Sequence, residues 1–295
     1  MIGLPSTENR NINSKDLDLK STREIIEIIN KEDQSIAKKV GQKIGEIEKL
    51  VDELVRVLNR GGRLFYIGAG TSGRLGVLDA SEALPTFSVN PNLINGIIAG
   101  GDKALRNPVE NAEDNEEMGK LDLIKNQFTK EDMLVGIASS GRTPYVIGAL
   151  KYAREIGAST GSLSCNLDSL ISKYADCPIE VDTGSEILTG STRMKAGTAT
   201  KMVLNIISTT AMVRIGKVYD NLMVDVRVSN KKLRKRAISI IKEVCEVDEK
   251  RAEKLLNESQ NSVKCAILMG LKDIKRDEAL NILKENDGFL RRGIQ

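Results

Sequence analysis

The stretch LFYIGAGTSGRLGVLDASE, residues 64–82, decides the fold that we expect for the rest of the chain. It opens with a short apolar run of the kind that forms a buried parallel strand. The glycine-rich letters GAGTSG predict a tight turn, and residues 74–84 predict a helix that Pro85 ends. The amide groups at such a helix start attract phosphate. The residues that we expect to bind phosphate here are Gly70, Thr71 and Ser72.

The same turn also matches the dinucleotide-binding pattern GxGxxG. That function requires an acidic residue about 20 positions further on, at the end of the next strand. The next apolar run, residues 93–99, is followed only by Asp102, which lies late for this role. The paired hydroxyls Thr71 and Ser72 suit a terminal phosphate monoester better than a pyrophosphate. We therefore favour a sugar phosphate, and a dinucleotide site and a purely structural turn remain the alternatives.

The composition excludes several classes of protein and of active site. With 44 basic and 41 acidic side chains among 295 residues, the net charge is +3, which argues against a dedicated nucleic-acid binder. The chain has no histidine, which excludes zinc sites with imidazole ligands and histidine-based triads. Its four cysteines form no CxxC pair, as is typical of reduced thiols in a cytosolic protein. We expect neither a signal peptide nor a membrane span.

Apolar runs alternate with helical patterns through the centre of the chain. This alternation predicts an α/β fold with a doubly wound parallel sheet, in which ligands bind at the carboxyl ends of the strands. From about residue 230 onward only helical patterns occur. After the first strand, four more are predicted at residues 93–99, 132–138, 158–165 and 177–181. The expected domains are an N-terminal arm with helices (1–60), a sheet domain (61–225) and a small helical domain (226–295).

The helical patterns have recognisable starts. Ser21 with Glu24 forms a capping-box pattern, and apolar residues at three- and four-residue steps predict one long helix from Asp33 to about Leu58. The basic run NKKLRKR, residues 230–236, is interpreted as a solvated helix start rather than a nucleic-acid contact. Further helices are predicted at about residues 113–128 and 193–215.

A second turn, ASSGRTP at residues 138–144, repeats the strand–turn–helix pattern of the first. Its hydroxyls can donate to phosphate oxygens together with backbone amides, and Pro144 suits the first turn of a helix. Two such turns, each at the end of a parallel strand, predict a shared pocket for a phosphorylated sugar. Two capped helices without a ligand are the alternative. The candidate residues of this turn are Ser139, Ser140, Gly141 and Thr143.

A third polar loop, within residues 185–201, leads into the helix predicted from Arg193. Cations in the first turn of a helix are unfavourable, and a bound anion would offset this. We therefore expect this region to bind a second anion, a carboxylate. The cationic candidates are Arg193, Lys195, Arg142 and Arg74, and Glu186 is included among the substrate-binding residues.

Six stretches together closely resemble the N-acetylmuramic acid 6-phosphate etherases, which are sugar isomerase (SIS) domain proteins. From spacing alone, neither Glu82 nor Glu113 stands out among the acidic residues, but the resemblance implies that they are the two catalytic glutamates. It also matches the phosphate loop to the Ser139 turn. One departure is Asn111, where we expect glycine. The stretches are GAGTSGRLGVLDASE, IAGG, VENAED, GIASSGRTPYV, SCN and TGSTRMKAGTA, and the resemblance extends to DGFLRR at residues 287–292.

The resemblance implies cleavage of the C3 lactyl ether of N-acetylmuramic acid 6-phosphate, giving N-acetylglucosamine 6-phosphate and D-lactate in cell-wall amino-sugar recycling. In the ring-opened sugar, the C2 hydrogen is α to an aldehyde and the ether is β to it. Elimination followed by hydration needs two proton-transfer groups and neither a metal nor another cofactor. Our hypothesis makes Glu82 the acid that protonates the ether oxygen and Glu113 the base at C2, although the two roles could be exchanged.

The spacing of Glu82 from the phosphate turn raises a geometric question. Nine residues separate it from Gly73, which is about 13 Å along a straight helix. Either the phosphate rests mainly on the Ser139 turn, or the helix is short, or a second subunit shares the pocket. We favour a homodimer with sites at its interface. The rival functions are a non-catalytic sugar-phosphate sensor and an aldose–ketose isomerase.

Overall fold

The computed structural model describes residues 5–295, which fall into two compact units. The first comprises the residues up to Ser81 together with Asn92–Ser208, and the second comprises Glu82–Pro91 and Thr209–Gln295. Each unit contains its own cluster of buried apolar side chains. The domain boundaries expected from the sequence, after residues 60 and 225, stay a prediction.

A five-stranded sheet forms the centre of the first unit. Its strands are β1 (Leu64–Gly68), β2 (Ile94–Ile98), β3 (Met133–Ile137), β4 (Ser159–Ser164) and β5 (Cys177–Glu180). Their order is β2-β1-β3-β4-β5, and every pair is parallel. Both β1 and β3 are buried at every position, as strands covered on both faces must be. The predicted α/β class is therefore confirmed, and each strand lies at the position of a predicted strand.

Helices cover both faces of this sheet. Phe65 packs among the apolar residues of the 144–155 helix, whereas a Cβ on Gly76 would lie 3.0 Å from Tyr66 Cβ on the opposite face. The helices that begin in this unit are α1 (Thr22–Asp33), α2 (Ile36–Gly41), α3 (Ile44–Asn59), α4 (Gly70–Phe87), α5 (Lys103–Arg106), α6 (Glu116–Lys125), α7 (Pro144–Glu155) and α8 (Lys195–Arg214).

The N-terminal helices are shorter than predicted. The capping box of Ser21 and Glu24 is present at the start of α1, but the long helix expected from Asp33 to about Leu58 is wrong. It is interrupted between α2 and α3, where the backbone of Lys43 leaves the helical region at φ −109° and ψ 15°. Gly41 and Gly45 flank this break, and glycine is a poor helix former.

Helix α4 is longer than predicted at both ends. It begins at Gly70 rather than Arg74, so Thr71 and Ser72 belong to its first turn. It also continues through Pro85 to Phe87, so the prediction that Pro85 ends it is wrong. Proline removes its own amide donor and crowds the carbonyl four residues earlier, but the Ser88 amide still donates to the Leu84 carbonyl at 3.0 Å. A proline so close to a helix end interrupts little.

The second unit is helical from residue 231 onward, which confirms that prediction. Asn230 caps α9 by accepting a hydrogen bond from the Leu233 amide, so the basic run is the start of a helix. A buried ammonium group, that of Lys264, donates to the Gly288 carbonyl at 2.8 Å and pairs with Asp225 at 2.7 Å. The helices are α9 (Lys231–Cys245), α10 (Glu249–Glu258), α11 (Val263–Lys272), α12 (Arg276–Glu285) and α13 (Leu290–Ile294). Among residues 5–295, no helix has the length and apolar character that a membrane crossing requires.

Candidate active site

The two hydroxyl-bearing turns meet at the carboxyl end of the sheet. Strands β1 and β3 are neighbours, and their last residues, Gly68 and Ile137, are paired in register. The chain leaves both strands at the same edge, and there Ser72 Oγ lies 3.4 Å from Ser139 Oγ. The structure thus brings together the two turns that the sequence predicted would share a phosphate pocket.

The first turn presents free amide donors. Within residues 5–295, the N–H groups of Gly70, Thr71 and Ser72 have no acceptor, and the first paired amide of α4 is that of Gly73, which donates to Ala69 at 3.1 Å. A Cβ at Gly73 would lie 2.6 Å from the Gly68 carbonyl oxygen, so only glycine allows the helix to start so close to the strand. These donors and the positive end of the helix suit an anion.

Close packing fixes the backbone of the second turn, and the hydroxyls of this turn remain partly accessible. Gly141 has φ +72°, and a Cβ there would lie 2.3 Å from Ser169 Cβ, so this position requires glycine. Pro144 occupies the first position of α7, as predicted, and the hydroxyl of Thr143 makes no capping bond. Ser140 Oγ accepts the Arg142 amide at 3.3 Å. The hydroxyls of this turn are half-buried and border the first turn.

Glu113 lies in the turn before α6, next to the second phosphate turn. Its backbone carbonyl accepts a hydrogen bond from the Tyr145 amide in the first turn of α7, at 3.0 Å. Helices α6 and α7 approach closely, since a Cβ at Gly148 would lie 1.9 Å from the Glu116 carbonyl oxygen. The carboxylate of Glu113 is exposed. Asn111, in the same turn, has φ +60°, a conformation that glycine and asparagine adopt most easily.

A cavity of about 230 Å³ joins Glu113 to the start of α4. Gly70, Arg74 and Glu113 all line it, together with Glu110. The Arg74 guanidinium is held at its rim, where it donates to the carbonyls of Ala104 at 2.7 Å and Leu105 at 3.1 Å. One catalytic candidate and the first phosphate turn therefore border the same space.

Glu82 is placed differently from the other candidates. It is exposed and belongs to the second unit. It lies eleven residues after Thr71 on the same helix, which corresponds to a rise of about 16 Å. Because α4 has 18 residues, the possibility that the helix is short is excluded. Both phosphate turns and Glu113 therefore belong to the first unit, and Glu82 does not.

A carboxylate of the third loop binds the first amides of the helix that follows it. The buried carboxylate of Glu186 accepts the amides of Lys195 at 3.0 Å and Ala196 at 2.9 Å. Burial raises the pKa of Glu186, and these two amide bonds oppose the rise. Helix α8 begins at Lys195, so the prediction of Arg193 in its first turn is wrong, and Arg193 is an exposed loop residue.

The ammonium group of Lys195 has a partner within the chain. It is nearly buried and donates to Glu32 at 2.6 Å. Burial alone would raise the pKa of Glu32, but hydrogen bonds from Lys195, Asn13 and Asn11 outweigh it and hold that pKa below its ordinary value. Carboxylates of the chain itself therefore neutralise the positive charge at the start of α8.

Sequence reasoning gave Asn166 no individual role. The residue is buried two positions after the end of β4, and its side-chain amide donates to the Ser139 carbonyl at 2.8 Å. The residue lies in the stretch SCN, residues 164–166, which was quoted only as a whole and does not indicate this contact.

Comparisons with known proteins agree with this architecture. Residues 46–154 match the glucokinase regulatory protein N-terminal SIS domain, residues 103–209 match the SIS domain, and residues 220–264 match the C-terminal lid domain of glucokinase regulatory protein. A phosphoheptose isomerase from Francisella tularensis shares the fold, with a TM-score of 0.53 and 17% identity over 66% of this chain and 99% of that chain.

Curated relatives match the chain over its whole length. The N-acetylmuramic acid 6-phosphate etherase of Geobacillus sp. (strain WCH70) is 52% identical over 290 residues, 98% of each chain. The protein of that name from Halalkalibacterium halodurans is 52% identical over 294 residues, 100% of this chain and 99% of the relative. The chain therefore belongs to the N-acetylmuramic acid 6-phosphate etherase family.

Proposed function

We propose that this chain is a carbon–oxygen lyase that converts N-acetylmuramic acid 6-phosphate and water to N-acetylglucosamine 6-phosphate and D-lactate. The observation that carries the proposal is the meeting of the two hydroxyl-bearing turns, with Ser72 and Ser139 3.4 Å apart, in a chain about half identical to etherases over its full length. A phosphate at these turns places the sugar over the carboxyl end of the sheet.

The reaction follows from the chemistry of the ring-opened sugar. A base removes the C2 proton, which is acidic because it lies α to the aldehyde. The electron pair forms the C2–C3 double bond while the C3–O bond breaks, and the departing lactate oxygen takes a proton. Water then adds at C3 and a proton returns to C2. Two carboxyl groups suffice for these transfers.

Glu113 is the proposed base at C2. Its backbone is tied to the first turn of α7, and its side chain borders the cavity that reaches Gly70. A sugar held by its phosphate at the two turns therefore extends toward this carboxylate. Glu82 is the proposed acid for the lactate oxygen, and exchange of the two roles is the alternative.

The phosphate ligands that we propose are the hydroxyls and amides of the two turns. The partner of the lactyl carboxylate is proposed to come from the third loop. Arg193 is the better candidate there, since it is exposed while the Lys195 ammonium is bonded to Glu32. Glu186 acts on this loop by capping α8. The phosphate ligands are Gly70, Thr71, Ser72, Ser139, Ser140, Gly141 and Thr143.

A homodimer is part of the proposal. The rise of about 16 Å between Thr71 and Glu82 exceeds what one hexose phosphate spans, so a second copy would have to bring the acid to the site. Ile12 and Leu19 of the N-terminal segment are 85% and 81% exposed, and we propose that a second copy of the chain covers them. We also propose a cytoplasmic location, in keeping with four cysteines that are free thiols.

The proposal is tested by incubating purified protein with N-acetylmuramic acid 6-phosphate and measuring free D-lactate. Lactate release with incorporation of deuterium from D₂O at C2 of the product is expected. Binding without lactate release would indicate a sensor, and isomerised sugar phosphate without lactate would indicate an isomerase. C2 exchange that survives in Glu113→Ala would show that Glu113 is not the base.

The dimer is tested by light scattering on Ile12→Asp/Leu19→Asp, with Leu121→Asp, an exposed position on α6, as the control. The double variant should dissociate and lose lactate release, whereas the control should do neither. A monomeric wild-type protein with full activity would contradict the shared site.

A further inference from the structure

The side chain of Asn166 joins the N-terminal segment to the second phosphate turn. Its Nδ2 group donates to the Ser139 carbonyl at 2.8 Å and to Thr7 Oγ1 at 3.1 Å. Its Oδ1 atom accepts from the Thr7 amide at 3.2 Å and from Ser6 Oγ at 2.9 Å. The residue is 3% exposed, and both donors and two acceptor positions of its amide are used. A buried amide with all of these bonds can adopt only one orientation.

The Ser139 carbonyl is therefore fixed by two donors, Asn166 Nδ2 and the Cys165 amide at 3.0 Å. The peptide bond that follows is trans and planar, so the Ser140 N–H points in the direction opposite to that carbonyl. Within residues 5–295 the Ser140 N–H has no acceptor. Fixing the carbonyl thus fixes the direction of a free amide donor, which points away from Asn166.

The N-terminal segment is anchored as firmly as the turn itself. Thr7 is completely buried, and the single Ser6 hydroxyl proton is shared between Asn166 Oδ1 and Asp182 Oδ1, which lies 2.8 Å from Ser6 Oγ. Asp182 Oδ1 in turn accepts the Gly184 amide at 3.1 Å, in the loop after β5. The segment is therefore bonded to the loops that leave β4 and β5, at the edge of the sheet where the phosphate turns lie.

We propose that Asn166 is a positioning residue for phosphate recognition, and that Ser6 and Thr7 lock its side chain so that the Ser140 amide is preorganised for the phosphate. The inference rests on the proposed function for the identity of the substrate. It makes the N-terminal segment, which the sequence suggested was only an arm, a structural part of the substrate site.

The test is Asn166→Ala, which removes both bonds that the side chain donates. We expect KM for N-acetylmuramic acid 6-phosphate to rise about 10-fold or more, as for a lost hydrogen bond to a charged group, while kcat changes less than about 3-fold. Inhibition by inorganic phosphate should weaken in parallel, whereas inhibition by D-lactate should not change. A residue that serves only stability would not separate the two inhibitors.

Two further variants keep the test decisive. Thr7→Val keeps the hydrogen bond from the backbone amide of residue 7 to Asn166 Oδ1 but removes the hydroxyl that accepts from Asn166 Nδ2. We expect a smaller rise in KM, about 2–5-fold. Asn95→Ala is the matched control, because Asn95 Nδ2 also donates to backbone carbonyls, those of Asn92 at 2.7 Å and Leu64 at 3.4 Å, but at the amino end of the strands. KM should be unchanged in the control.

The result that would overturn the proposal is an Asn166→Ala or Thr7→Val protein with unchanged inhibition by inorganic phosphate. If Asn166→Ala does not fold, Thr7→Val decides alone. If the wild-type protein releases no lactate, the proposed function fails, and calorimetric titration of the same variants with inorganic phosphate still decides the role of Asn166.

Discussion

Helices α4 and α8 both begin within a stretch that contains glycines and hydroxyl side chains, yet their N-termini differ in one respect that matters for binding. At α4, the amides of Gly70, Thr71 and Ser72 have no acceptor within residues 5–295. At α8, Glu186 accepts the first amides, and the Lys195 ammonium is bonded to Glu32. The start of α4 is open to a ligand, whereas the chain itself occupies the start of α8.

This contrast shows that residue types near a helix start do not identify an anion site by themselves. What decides is whether a carboxylate of the chain already lies there. At α8 the deciding residue precedes the helix by nine positions. We therefore expect substitutions near the start of α4 to change substrate turnover, and substitutions at the start of α8 to change stability.

The largest effect is expected at the exposed carboxylate beside the open helix start. Glu113→Gln removes the proposed base and should lower the rate of D-lactate release about 10²–10⁴-fold. The midpoint of thermal unfolding should not move, because the side chain is exposed. Glu117→Gln, an exposed residue four positions later on α6, is the control and should keep full activity. A Glu113→Gln enzyme with wild-type kcat would remove Glu113 from the mechanism.

A carboxylate introduced at the start of α4 should occupy the free amides there, as Glu186 occupies those of α8. Thr71→Asp puts a negative charge among the free amides, and KM for the phosphorylated substrate should rise about 10–100-fold by repulsion and competition. The same change should leave the unfolding free energy equal or slightly higher, since acidic residues favour helix starts. Thr71→Asn controls for size. Equal KM values for the two variants would show that the phosphate does not bind at α4.

Removing the carboxylate from the filled helix start should affect stability and not turnover. Glu186→Gln turns an NH₂ group toward one of the two amides that the carboxylate accepts. The unfolding free energy, measured by urea titration, should fall by about 1–3 kcal/mol, and KM should stay the same. Glu131→Gln, on the surface, should change neither quantity. A rise in KM without loss of stability would show instead that Glu186 binds substrate.

The smallest effect is expected for the acid stability of variants at Glu32, which pairs with Lys195 at the start of α8. The pKa of Glu32 is lowered below 4.5 in the folded protein, so its contribution to stability is present above that value and is lost as the pH falls through the lowered folded pKa. Between about pH 6 and about pH 3, Glu32→Gln should therefore lose less unfolding free energy than the wild type. The exposed variant Glu27→Gln should follow the wild type. A parallel acid profile for Glu32→Gln would contradict the pairing with Lys195.

Much of the fold could be read from local patterns. The five strands coincide with the predicted ones, and the clearest are β1 and β3, because parallel strands buried on both faces are apolar at almost every position. Helix ends were less predictable. Gly41 and Gly45 interrupt a periodic apolar pattern because glycine is a poor helix former, and α4 passes through Pro85 because that proline lies only two residues before the helix end.

The candidate site divides in the same way. The hydroxyl-bearing turns follow from glycine, serine and threonine at the ends of apolar runs, and the two glutamates followed from a family resemblance. A shared pocket was predicted because both turns follow parallel strands, whereas the pairing of β1 with β3 and the 3.4 Å distance from Ser72 to Ser139 came from the structure. The role of Asn166 could not be inferred, since nothing in the stretch SCN indicates which carbonyl its amide reaches.

The sequence by itself determined the order of strands and helices, the two turns that suit a phosphate, and the absence of histidine from the chemistry. Only the tertiary structure decided which helix start is open, which is filled, and which turn the N-terminal segment braces. The physical reason is the distance along the chain between partners, 159 residues from Thr7 to Asn166 and 163 from Glu32 to Lys195. Local propensities act over a few residues, whereas these pairs exist only after the chain has closed around the sheet.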